Sequence, residues 1–255
     1  MREINIQNKI NDILLFIKKQ LKNADMKKII IGLSGGIDSS LTAALAIKVL
    51  GKENVIGVMM PYRLSNPDSL NDAKEVANFL NIDYLTIDIS PMVDSYFDRY
   101  EPDATSLRRG NRMARERMCI LYDLSAKYQA LVAGTGNKSE LLIGYCTQYG
   151  DNACAFETIG DLYKTEIRQI SIHLNLPQSV INKNPSADLW EGQTDEDEIG
   201  MSYEKLDELL YNLYELNRSV NELINIGFVE VDIYKVIKMY KNSQFKREMP
   251  AMLNN

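Results

Sequence analysis

Residues 4–21 place Ile10, Ile13, Leu14, Ile17 and Leu21 at three- and four-residue intervals, with lysines on the other side, the spacing of an amphipathic helix. A β-branched run, Ile29-Ile30-Ile31, predicts a strand over 29–33. A helical apolar pattern through Leu41, Ala44, Leu45 and Val49 then predicts a helix over 39–50. Residues 54–60 are mostly apolar, as a strand buried on both faces requires, and Pro61 ends them. Ser69 and Asp72 have capping-box-like spacing at the head of a helix reaching about Leu80. A third strand is expected over 84–89 and a fourth over 130–133, after a long helix from about Ser106 to Lys127. Strands alternating with helices predict parallel βαβ units with right-handed crossovers, hence an α/β fold with a doubly wound parallel sheet. Ligands of such sheets bind at the carboxyl ends of the strands.

After about residue 200 the pattern turns helical. Leu206, Leu209, Leu210 and Leu213 make one stripe, and Val231, Tyr234, Ile237 and Lys238 a weaker one. No shift of composition marks a linker. One domain over 1–255 is therefore expected, with its sheet core at about 27–165 and a helical C-terminal region at about 200–255.

The first strand ends in Gly32-Leu33-Ser34-Gly35-Gly36-Ile37-Asp38-Ser39-Ser40. Paired glycines let a backbone turn tightly and approach an anion, and the following helix start adds free N–H groups and the positive end of its dipole. The serines add hydroxyl donors. Asp38 would repel phosphate, and fits if a divalent cation lies between them. No Gly-Lys-Ser/Thr follows, so this is not a Walker A loop. It resembles the SGGxDS pyrophosphate loop of the ATP pyrophosphatases, enzymes that cleave ATP to AMP and pyrophosphate.

Composition narrows the class. The 255 residues are 45% hydrophobic and 25% charged, ordinary for a globular protein, and the net charge of -6 argues against a broad nucleic-acid face. Cys119, Cys146 and Cys154 have no zinc or CxxC spacing, so a reducing, cytoplasmic setting is expected. His173, the single histidine, is expected to be a half-buried helix residue. No signal peptide is read at the polar N-terminus, and no apolar run approaches the ~20 residues of a membrane span.

Five further stretches carry chemistry. In Gly134-Thr135-Gly136-Asn137-Lys138-Ser139-Glu140, after the fourth strand, Thr135 can bond a nucleotide and Glu140 can join Asp38 as a carboxylate pair for Mg2+. The glycine- and aromatic-rich stretch 144–151 offers Asp151 to position an amine nucleophile. Lys164, near a helix start where the dipole favours anions, suits a phosphate partner. The Asn184-Pro185 and Trp190-Glu191-Gly192 steps suggest an ordered loop over 184–196. Its acidic end, Asp195 to Glu198, is read as a dipole-favoured helix N-terminus and not as catalytic. Arg112 and Arg115 share one face of the long helix.

Together these motifs resemble those of ammonia-dependent NAD synthetase. The carriers are GLSGGIDSS at 32–40, GNRMARERM at 110–118, GTGNKSELLIGY at 134–145, YGD at 149–151, LYKTEI at 162–167, NPSADLWEGQTDE at 184–196 and FKREMP at 245–250. The resemblance implies a Rossmann-like fold of the adenine nucleotide α-hydrolase type. It implies amidation of deamido-NAD by ammonia, through an acyl-adenylate, to NAD, AMP and pyrophosphate. Residues Gly32, Leu33, Ser34, Gly35, Gly36, Ile37, Asp38 and Ser39 would hold the ATP phosphates. Thr135, Lys164 and Ser186 would contact ATP, Arg115 and Lys246 deamido-NAD, and Asp38 and Glu140 Mg2+. Asp151 and Lys164 would be catalytic, with Asp151 where ammonia approaches and Lys164 on the phosphate charge. The 184–200 loop would act as a lid, and the protein as a cytoplasmic homodimer without nucleic-acid or membrane partners. The glutamine-dependent form carries an added amidase domain for which 255 residues leave no room. Many members have Lys, Asp and Pro where this chain has Gln148, Ala155 and Thr158; that lysine and aspartate contact deamido-NAD there.

Overall fold

Why the sheet stands where it does is visible in its first strand. In the computed structural model, which describes residues 4–190 and 192–253, β1 (Lys28–Gly32) is buried on both faces. Ile29 and Ile31 face one hydrophobic cluster and Ile30 the other, as the two-residue period of a strand dictates. β1 pairs in parallel with β2 (Val55–Met59) and β4 (Ala130–Gly134), β2 with β3 (Asp83–Thr86), and β4 with a two-residue β5 (Phe156–Glu157). The order is β3-β2-β1-β4-β5, so the connection reverses between β1 and β4. At that switch point the crevice opens beyond the strand ends.

Helices α1 (Ile6–Asn23), α2 (Ile37–Leu50) and α3 (Pro67–Leu80) cover one face. Ile10, Ile13, Ile17 and Leu21 form the buried stripe of α1, each contributing roughly 1.5–3 kcal/mol by leaving water. On the other face lie α4 (Ser90–Tyr100) and α5 (Ser106–Tyr128). After β4 come the short α6 (Lys138–Ile143), α7 (Lys164–His173), α8 (Gln178–Ile181) and α9 (Asp195–Ile199). The C-terminal helices α10 (Tyr203–Tyr214), α11 (Val220–Asn225) and α12 (Glu230–Asn242) form a third cluster. That cluster takes in Ile143 and Tyr163, so it packs on the sheet layer through α6 and α7.

Several expectations shift. Asn66 caps α3, with Pro67 in its first turn; Ser69 and Asp72 instead receive the Lys183 ammonium, at 3.1 and 2.7 Å. The third strand stops at Thr86, although Ile87 and Ile89 still donate to the Met59 and Pro61 carbonyls. α4 and β5 have no clear period in sequence. His173 lies exposed in the last turn of α7. Glu191, in the Trp190-Glu191-Gly192 step, lies outside the described residues, as do 1–3 and 254–255.

Candidate active site

The loop after β1 is shaped by Gly35. Its φ is +75°, and a Cβ there would stand 2.2 Å from the Ser69 carbonyl, so only glycine fits. Ser34 and Ser39 brace the turn: Gly36 N–H donates to Ser34 Oγ at 3.2 Å, and the Ser39 hydroxyl donates to the Gly36 carbonyl at 3.1 Å. α2 then starts at Ile37 without a side-chain cap, and its first N–H groups face the crevice at the switch point. An uncapped helix start of this kind can receive an anion.

Beyond the ends of β1 and β4 three of the expected residues meet. The Lys164 ammonium, 8% exposed at the first turn of α7, lies 2.6 Å from Asp38 Oδ2 and 3.1 Å from Glu140 Oε1. Asn137 is buried and plays two parts. Its amide donates to Asp38 Oδ1 at 2.9 Å, and its Oδ1 accepts the Glu140 N–H at 3.0 Å, capping α6. Asp195, 3% exposed, faces the same ammonium. The Tyr203 hydroxyl stands 3.0 Å from Asp195 Oδ2 and 3.3 Å from Glu140 Oε1, with its ring 5.1 Å from the Lys164 ammonium. Tyr145 reaches Asp195 Oδ1 at 3.1 Å and also donates to Glu198. Burial alone would lower the Lys164 pKa; Asp38 and Glu140 overcome it and hold the ammonium above the usual lysine range. Burial pushes the Glu140 carboxyl up against the pull of Lys164. Three carboxylates face one cation, so the crevice carries surplus negative charge.

A second group gathers around the 144–151 loop. The Thr147 N–H donates to Asp151 Oδ1 at 2.8 Å. Lys246, in a short 3-10 turn, donates to the Gly144 and Cys146 carbonyls at 2.7 and 2.6 Å. Exposed Arg115 donates to the Gln148 carbonyl at 3.2 Å. Thr135 is half-buried in the turn after β4. Ser186 is exposed, its Oγ accepting the Asp188 N–H at 3.0 Å. Among the described residues no hydrogen bond joins Ser186 to the Lys164 group. Arg112 pairs with Glu116 at 3.0 Å.

The model of the NAD synthase family matches residues 9–250. The chain belongs to the NAD synthase family. Within that family it is 50% identical, over 98% of its length and 96% of the relative, to the NH(3)-dependent NAD(+) synthetase of Fusobacterium nucleatum. The solved NH3-dependent NAD synthetase of Campylobacter jejuni superposes with a TM-score of 0.84 at 36% identity, covering 99% of this chain and all of that one. An NMN synthetase from Francisella tularensis gives 0.88 at 28% identity, with the same coverage.

NAD synthase motifs located Asp38, Glu140 and Lys164, but not Asn137, Tyr203 or Asp195. Asn137 sits within a motif, and its amide carries no signal of a partner 99 positions away. Tyr203 reads in sequence as a first-turn helix aromatic. Asp195 belongs to the acidic run read as a dipole-favoured helix N-terminus without a catalytic part; the run does start α9, and this member is also buried in the crevice.

Proposed function

We propose that this protein amidates deamido-NAD with ammonia, consuming ATP and releasing AMP and pyrophosphate. The observation that carries the proposal is the convergence of Asp38, Glu140 and Lys164 beside the uncapped start of α2, in a NAD synthase chain. In the first step the nicotinate carboxylate oxygen bonds to the α-phosphorus and the bond to the β-phosphate bridging oxygen breaks. The departing pyrophosphate meets the 34–39 loop and the N–H groups of α2. Lys164 is the one cation among the crevice groups described and neutralises charge on the phosphate oxygens in this scheme. Thr135 and Ser186 flank the nucleotide, and Arg115 and Lys246 take the acceptor. In the second step ammonia attacks the acyl carbon, AMP leaves, and Asp151 is the carboxylate suited to take the ammonium and help remove its proton.

The donor set fits a magnesium ion. Two carboxylates, Asp38 and Glu140, share one point, and three carboxylates exceed the single ammonium there. Among the described residues no group of three or more His, Cys, Asp or Glu is arranged to hold a metal ion by itself, so the substrate phosphates would have to supply the remaining ligands. Bound there, the ion would offset charge on the transferring phosphates. The reading includes a homodimer in the cytoplasm. Exposed Tyr96, Tyr100, Leu107 and Tyr122 on α4 and α5 offer apolar surface for it. Among the described residues no helix is long and apolar enough to cross a membrane.

A second reading keeps the chemistry and changes the acceptor to nicotinate mononucleotide. It is favoured by the likeness to the Francisella NMN synthetase and by Gln148 and Ala155, where many members place dinucleotide contacts. Both acceptors are to be compared by kcat/KM. Deamido-NAD is expected to lead by at least tenfold; the reverse order overturns the dinucleotide assignment. Arg115→Ala should raise the deamido-NAD KM and spare the ATP KM. An effect confined to the ATP KM contradicts that role.

A further inference from the structure

Glu157 is a half-buried residue whose carboxyl the reaction scheme above does not use. It sits in β5, in register with Gly134 of β4. Its Oε2 accepts the Gly136 N–H at 2.9 Å. Three glycines make the space it fills. A Cβ on Gly134 would stand 2.2 Å from Glu157 Oε2, one on Gly136 2.9 Å from Oε1, and one on Gly160 2.8 Å from the Glu157 Cβ. The side chain is thus built into the back of the 134–137 turn. The turn itself contributes no titratable side chain, and α6 packs beside Gly160 with Leu141. The groups that face the carboxyl are Cys154, which bonds it, and Asp151, with Cys146 farther along the same connection. None of these is a cation, and Glu157 forms no salt bridge among the described residues. A carboxylate drawn largely out of water with no cation beside it is destabilising, so its presence beside three glycines calls for a task.

The turn supplies the task. Asn137, next to Gly136, donates to Asp38 and caps α6 at Glu140. Whatever fixes Gly136 therefore fixes the link between the two nucleotide-facing loops. We propose that Glu157 is a positioning residue, its carboxylate holding the 134–137 turn in the shape that receives the adenine nucleotide. The proposal rests on the reading of this crevice as the ATP site. An ionised acceptor bonds an N–H more strongly than a neutral one. Burial pushes the Glu157 carboxyl up to about 7, so the strength of the hold changes across the neutral range.

The test uses the full chain and its Glu157→Gln variant, with α,β-methylene ATP and Mg2+ as the probe. Calorimetric titration at pH 6 and pH 8 and amide exchange of the 134–137 segment are measured alongside thermal unfolding. The wild type is expected to bind the probe more tightly at pH 8 relative to the variant, by roughly fivefold, and equally at pH 6. The variant's 134–137 amides should exchange faster at pH 8 while its melting temperature stays level or rises, because a charge held largely out of water without a cation has been removed. The nucleotide's own ionisation is common to both proteins and cancels in the comparison. Glu157→Leu, which has no acceptor, should bind more weakly at both pH values. Equal affinities for wild type and Glu157→Gln at both pH values overturn the proposal. So does weaker binding at both pH values that tracks a lower melting temperature, which marks a merely structural role. Absence of probe binding in the wild type overturns it together with the ATP site. Pyrophosphate release is assayed separately: a wild type that binds the probe yet releases none overturns the ligase reading alone.

Discussion

At Lys164 a single ammonium sits between two carboxylates inside the protein. Removing one partner of such a group leaves uncompensated buried charge, commonly worth about 3–5 kcal/mol. Lys164→Met should therefore lower stability, measured by urea unfolding, as well as cut turnover by about a hundredfold or more through lost stabilisation of phosphate charge. A variant with normal turnover removes Lys164 from the phosphate site. Asp38→Asn keeps the Asn137 contact possible but removes half the carboxylate pair. Turnover should fall by orders of magnitude, with partial recovery at high Mg2+; near-normal turnover at ordinary Mg2+ contradicts the metal role. These residues are legible in sequence because each sits in the first turn of a helix, in a polar motif that packing does not explain. Tyr203 and Asn137 are not, since an aromatic at a helix start and a cap asparagine have sufficient local reasons to be there. Only the fold brings Tyr203 to Glu140, 63 positions away.

Among the elements, α2 matters most for the site. Eight consecutive residues from Ser39 to Ala46 are buried, so the helix is fixed between the sheet and its neighbours and cannot retreat from its own N-terminus. Gly35→Ala should disrupt the turn feeding it, through both the +75° φ and the 2.2 Å approach to Ser69. ATP binding measured by calorimetry should be lost or weakened more than tenfold; wild-type affinity would mean the turn does not grip phosphate. The strands β1, β2 and β4 are plain in sequence because burial on both faces leaves continuous apolar runs. β3 is shorter than its apolar stretch suggests, and β5 escapes a sequence reading because two residues show no period. α4 is hidden among Tyr96, Asp98, Arg99 and Tyr100, a mixed surface without a clean stripe. The 184–200 loop is pinned at its base by Lys183 on α3, while a Cβ added at Gly192 would meet nothing within 4 Å. Cleavage by an added protease near Gly192 should slow when both substrates are bound; unchanged cutting counts against a lid.

For the whole molecule, the helical tail is expected from its sequence to share the body of the sheet, and Asp207 is the polar pin between them. From α10 it accepts the Ser139 hydroxyl of α6 and, at 2.9 Å, the Thr165 N–H of α7. We propose that the chain unfolds as one cooperative unit, its three hydrophobic clusters melting together; separate transitions in calorimetry would divide it. Burial pushes the Asp207 carboxyl up to about 6 against those hydrogen bonds. The folded state thus holds a proton between about pH 4 and 6 that the unfolded chain releases. Its contribution to stability is full below about pH 4 and falls as pH rises through about 6, by on the order of 2–3 kcal/mol. Asp207→Asn should flatten that part of the stability profile in urea unfolding; an unchanged slope would place the titration elsewhere. At this scale the most direct test is catalytic. Pyrophosphate release from ATP and Mg2+ is followed with deamido-NAD and ammonium together, singly and omitted. Release coupled to NAD formation, requiring both, is the predicted result, and slow release with deamido-NAD alone would reflect adenylate lost to water. Bound ATP without pyrophosphate release under any of these conditions would contradict the ligase assignment.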